Sequence, residues 1–144
     1  MNNWFECRVR YEKILANGLQ KKVTEPYLVD AMSHTEAEAR FIEEITPFIS
    51  GEFEVIGIKP GKINELFFND NGNRYYKAKV MFITLDEKSG AEKRTATNMY
   101  AQACSIEEAL GVINDGMKGT MADYEITSIA ETPIMDVFIY GTGQ

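Results

Sequence analysis

Ser33-His34-Thr35-Glu36-Ala37 returns 72 positions later as Ser105-Ile106-Glu107-Glu108-Ala109, and the fold of the whole chain turns on that echo. Each copy has the form of a capping box: a serine hydroxyl accepts from the third helical amide, and a glutamate three residues on reaches back to the serine amide. Two matched helix starts imply one unit used twice.

The match extends in both directions. Before the first box, Trp4 to Tyr11 alternates, with Phe5, Cys7, Val9 and Tyr11 on one face; before the second, Tyr75 to Phe82 places Tyr76, Ala78, Val80 and Phe82 the same way. Period-two alternation marks a half-buried strand. A polar turn follows each, Glu12–Gly18 and Asp86–Gly90, whose glycines supply the positive φ that such loops need. The returning strands are Lys21–Val29 and Lys93–Ala101. Pro26 cannot donate to a ladder, which predicts an edge or a bulge there.

After the boxes, Ala37, Phe41, Ile42, Ile45 and Phe48 form one helical stripe that Pro47 should stop, and Ile106, Ala109, Leu110, Ile113 and Met117 form the other, which Gly116 should end. Third strands are expected at Phe53–Ile58 and Tyr124–Ile129, each followed by a short apolar coda, Ile63–Phe67 and Ile134–Phe138. The second coda continues apolar to Tyr140, and internal packing is expected of it. Collinear identities such as Val9/Val80, Gly18/Gly90, Ala37/Ala109 and Phe67/Phe138 support a tandem duplication. The expected fold is α+β: a strand-strand-helix-strand unit repeated over 4–68 and 75–139, antiparallel-rich, with two helices. The two repeats are expected to form a single domain over 1–144 sharing one core, because each alone is small.

Composition bounds the function. A net charge of −7 and a pI near 4.8 argue against bulk binding to nucleic acid or anionic membrane. No stretch approaches the ~20 apolar residues of a membrane span, and no secretory leader is evident, so a cytoplasmic protein is expected. Cys7 and Cys104 have no second pair of ligands, so neither a metal nor another cofactor is expected. Cys7 reads as a buried inert thiol, Cys104 as a packing residue matched to Met32, and His34 as an exposed first-turn residue without the partners a catalytic triad needs. Gly116–Thr120 follows a helix, the wrong polarity for a phosphate loop.

Charge is uneven within each repeat. The hairpins 4–31 and 74–103 carry net charges of +1 and +3, whereas 33–58 and 105–131 carry −5 each. Lys21, Lys22, Lys93 and Arg94 therefore stand as candidate ligand-binding residues for an anion, against the alternative that strand lysines merely discourage edge aggregation. Arg8, Leu28, Lys79 and Tyr100 form a candidate exposed protein-binding face. Three functions follow in order of preference: a non-catalytic binding protein acting on a protein partner or as a homo-oligomer; a protein sequestering a small anionic ligand such as a nucleotide signal in a groove between the repeats; and an enzyme using the matched acids Glu65 and Asp136.

Several stretches carry a resemblance: W-F-E-C-R-V-R-Y-E-K at 4–13, G-L-Q-K-K-V-T-E-P-Y-L-V-D-A at 18–31, L-D-E-K-S-G-A-E-K at 85–93, G-M-K-G-T-M-A-D-Y-E-I from 116, and A-E-T-P-I-M-D-V-F ending at 138. Together they resemble a small family of unknown function found in gut-type anaerobic bacteria and in their phages or integrated elements. The resemblance implies a mobile-element setting and transfers no activity or binding residue.

Overall fold

The computed structural model describes residues 3–139, which divide into two compact units: one holds the described residues up to Gly61 and from Pro133 on, the other Lys62–Thr132.

In the first unit, β1 (Trp4–Ile14) and β2 (Gln20–Asp30) form an antiparallel hairpin, α1 (His34–Ile45) follows, and β3 (Phe53–Pro60) returns beside β1. In the second, β4 (Glu65–Phe67) precedes the hairpin of β5 (Arg74–Leu85) and β6 (Glu92–Ala103), then α2 (Ile106–Gly116) and β7 (Asp123–Glu131). β8 (Val137–Phe138) closes the described chain. The fold is α+β with two four-stranded sheets, ordered β3-β1-β2-β8 and β4-β6-β5-β7. The expected alternation holds. Cys7, Val9, Ala78 and Val80 are fully buried, and in each unit the helix lays its apolar side on that face. Ala37, Phe41 and Ile45 do so in the first, Ala109 and Ile113 in the second.

Details recur between the units. Both third strands carry one extra residue at the same point, Ile56 opposite Arg8/Val9 and Thr127 opposite Lys79/Val80, a bulge repeated at matched positions. Gly18 and Gly90 both take positive φ at the hairpin tips (83° and 73°), as their turns demand. This repetition is compatible with a unit used twice. The helix starts repeat as well, with one correction. Ser33 Oγ accepts from the Glu36 amide and Ser105 Oγ from the Glu108 amide, but the glutamates reach one residue beyond the serines, to the amides of Met32 and Cys104 (2.6 Å each). They brace the entering chain as well as the cap.

Other expectations shift by a few residues. β1 runs on to Ile14, because its partner β2 supplies ladder bonds as far as Gln20. α1 stops at Ile45 and a 3-10 turn Thr46–Phe48 carries Pro47, whose missing amide ends the α pattern. Gly116 is the last residue of α2, and the positive φ falls three residues later, at Gly119 (88°). Gly116 is glycine for another reason: a Cβ there would lie 2.5 Å from the ring of Phe67.

The codas do not join the sheets they follow. β4 follows β3 but lies parallel to β6, and β8 follows β7 but lies parallel to β2. The second coda packs internally as expected, with Phe138 stacked on Tyr27 at 5.6 Å; Tyr140 lies outside the described residues.

Candidate functional site

The β2 and β6 edges hold most of the residues singled out by charge. Among the described residues β8 pairs with β2 at Leu28–Val29 and β4 with β6 at Met99–Ala101. Among the described residues no third strand pairs with β2 over 20–26 or with β6 over 92–97. The direction of the open groups follows from the bonds beside them. Pro26 O accepts from Met135 N (2.9 Å), the Leu28 amide donates to Asp136 O (3.1 Å), and Asn98 O accepts from Asn64 N (2.8 Å). Alternate residues of a strand turn their amide and carbonyl to the same side. Lys22 and Thr24 therefore present both groups outward on β2, as Arg94 and Ala96 do on β6. Pro26 fits the same rule: its missing N–H faces away from β1 and costs the β1–β2 ladder nothing, though the strand is neither bulged there nor an open edge, since Met135 already donates to the Pro26 carbonyl on that side.

Lys21 and Lys22 are exposed on the open half of β2, and Lys93 and Arg94 on that of β6. The four do not act alike. Arg94 is tied to Glu125, whereas Lys21, Lys22 and Lys93 have no ion-pair partner among the described residues. In the first unit the glutamate matching Glu125 is Glu54, and it is held instead by Arg10 from β1 (2.7 Å). Beside that pair, where β1 outruns β3, lies an open cavity of about 520 Å³. Arg10, Glu12, Lys22, Glu52 and Glu54 line it, so acids outnumber bases at its wall.

Of the candidate protein-binding residues, Arg8 and Lys79 are exposed and Tyr100 is half-buried. Leu28 is a correction. It is only 1% exposed, and its strand is flanked on both sides there, by Glu6 on β1 and Val137 on β8, so it offers neither an exposed side chain nor an open edge. Cys104 is also corrected: it is exposed, its thiol donating to Asn71 O (2.8 Å), and Met32, its match, is 81% exposed, so neither packs a core. Cys7 is buried as expected. Burial, then the nearby carboxylates of Glu6 and Glu38, pushes its thiol up to about 12, so it stays protonated and unreactive. His34 is exposed at the first position of α1. Glu65 belongs to the second unit and Asp136 to the first. Among the described residues no group of three or more His, Cys, Asp or Glu could hold a metal ion, and no helix is long and apolar enough to cross a membrane.

One group was not singled out by sequence. Glu25 is buried on the helix-side face of β2, with Val9 as its register partner. Its Oε1 accepts from the hydroxyls of Tyr11 (2.9 Å) and Tyr27 (3.4 Å), and Lys13 Nζ lies 3.8 Å from Oε2. Burial first, and Glu25 second, pushes the Tyr11 hydroxyl up to about 12 and raises Tyr27 further, so both remain donors. The matching positions of the second unit are Phe82, Thr84, Thr97 and Met99. That mismatch was the available signal: ionisable residues at inward positions of one copy only, where the other has Phe, Thr and Met.

A family model described as a domain of unknown function (DUF4494) matches residues 3–140. The chain belongs to the DUF4494 family. Membership agrees with the expectation of a family of unknown function, and it brings no activity to the open edges or to Glu25. No curated protein and no solved structure matches the chain.

Proposed function

We propose that this DUF4494 chain is a non-catalytic binding protein that takes an extended segment of a protein partner by strand addition on the open halves of β2 and β6. The observation that carries this reading is the behaviour of the chain's own codas. Each adds parallel to one of these edges, makes two or three ladder positions, and stops, leaving outward-facing amides and carbonyls free alongside. Strand addition of this kind draws affinity from main-chain bonds and selectivity from alternate side chains. Lys21, Lys22 and Lys93 along the open halves favour an acidic segment, while the same lysines discourage uncontrolled edge pairing.

Sequestration of a small anionic ligand is the weaker reading, because Arg94 is engaged by Glu125 and the cavity beside Lys22 is richer in acids than in bases. The long motifs, by their resemblance to a family of gut-type anaerobes and their phages or integrated elements, support a mobile-element setting for this role.

The test is selection of a display library of random ten-residue peptides on the immobilised full chain, with Thr24→Pro plus Ala96→Pro as the probe of site. Both prolines remove an outward N–H and leave the inner ladder intact, so helix circular dichroism should be unchanged. Recovered peptides should be enriched in acids and bind the double variant at least tenfold more weakly. Equal binding to the double variant overturns the proposal.

A further inference from the structure

The two codas share a pattern, Ile-x-acid-aliphatic-Phe: Ile63-Asn64-Glu65-Leu66-Phe67 and Ile134-Met135-Asp136-Val137-Phe138. They are seated alike. The second residue of each donates its amide to the edge, Asn64 to Asn98 O and Met135 to Pro26 O. The aliphatic residue pairs beside a matched position, Leu66 with Tyr100 and Val137 with Leu28, and the phenylalanine packs against the core. Each does this on a sheet other than the one whose third strand it follows. The edge therefore recognises the sequence of a coda, not its connection to the neighbouring strand.

Resting on the strand-addition reading above, we infer that a second copy of this chain is an occupant of the β2 edge. Residues 134–138 of one copy leave their own β2 and seat on that of the other, and the two copies trade codas reciprocally. The trade is closed, so neither copy is left with an empty edge, as a twofold exchange requires. β8 is the coda to trade. Among the described residues it makes two ladder positions against three for β4, and Phe67 is fixed by close approach to Gly116. The same bonds are broken and remade, so the balance is set by the effective concentration of the tethered coda, on the order of millimolar. Dimer should accordingly grow as chain concentration nears that range.

The experiment mixes two full-length chains at about 1 mM, the concentration named above, both carrying Cys104→Ser. One has Pro26→Cys; the other has Met135→Cys and a size tag. Exchange gives a disulfide-linked heterodimer on a non-reducing gel, its yield rising with concentration and falling at least fivefold when Phe138→Ala is added to the Met135→Cys chain. A yield no higher than that from a partner bearing a cysteine at exposed Thr35 overturns the inference. A second arm separates this from the underlying reading, using a synthetic peptide of residues 132–139 with Met135→Cys. If the peptide cross-links to Pro26→Cys and the chains do not, the coda seat takes a strand in trans and the second copy is excluded; if neither does, the exchange falls, while the reading of the open halves is decided separately by the Thr24→Pro plus Ala96→Pro comparison.

Discussion

Tyr11, Lys13, Glu25 and Tyr27 of the first unit stand where the second has Phe82, Thr84, Thr97 and Met99. Around these positions the two units agree in strand order, bulge, hairpin glycine and helix cap. The packing problem is therefore the same in both, and the second unit shows that it is met without a buried carboxylate. Burying one costs several kcal/mol unless it is hydrogen-bonded, and the first unit offsets that cost with two phenols and an ammonium. The polar group is an addition to the scaffold and not a requirement of it. The cavity lined by Arg10, Lys22 and Glu54 lies in the same unit as Glu25.

The comparison breaks most sharply at Thr97. Thr97→Glu places the carboxylate of the first unit among Phe82 and Met99, with no donor equivalent to Tyr11 or Tyr27. Chemical denaturation should show a loss of about 3 kcal/mol. A loss under 1 kcal/mol would mean that the second unit accepts a charge as readily as the first, and the contrast would dissolve.

Removing the donors tests the other side. Tyr11→Phe with Tyr27→Phe leaves Glu25 facing Lys13 alone and should cost about 2 kcal/mol at neutral pH. It should also change the alkaline limb. Both hydroxyls have raised pKa values in the folded state, so their contribution is complete below the unfolded value near 10 and is lost as pH climbs towards 12. Stability measured from pH 9 to 12 should fall less steeply in the double variant than in the wild type.

How far this was legible from sequence depends on the kind of information each feature uses. Strand alternation, the serine caps and the hairpin glycines are local requirements of the backbone, and they read directly. The destination of the codas did not, because Leu66 and Val137 satisfy equally well any edge with the right pocket, and chain proximity favours the wrong one. Leu28 shows a related limit. Alternation assigns it correctly to the face away from Phe5 and Cys7, but parity says which face a side chain takes, not what covers it. Glu25 was visible only as one more hairpin acid until its two tyrosines were brought beside it across the strand and from β1.

The smallest effect sharpens what the units share. Ser33→Ala and Ser105→Ala should each cost about 1 kcal/mol and differ by less than half of that, since the serine bonds to the third amide are 3.2 and 3.1 Å. A large difference in thermal or denaturant stability would show that the matched caps carry unequal loads.

The crossing of the codas also sets an order of completion during synthesis. Residues 62–132 form an uninterrupted stretch, so the second unit has every strand it needs once Thr132 is out. The first unit is made earlier and finished later. Once Gly61 is out, its β2 still waits for residues 133–139 through roughly 70 further residues, on the order of 4–14 s at ribosomal speed. Through that interval the whole outer edge of β2 is left without its coda, and the half that is born first is the last to close.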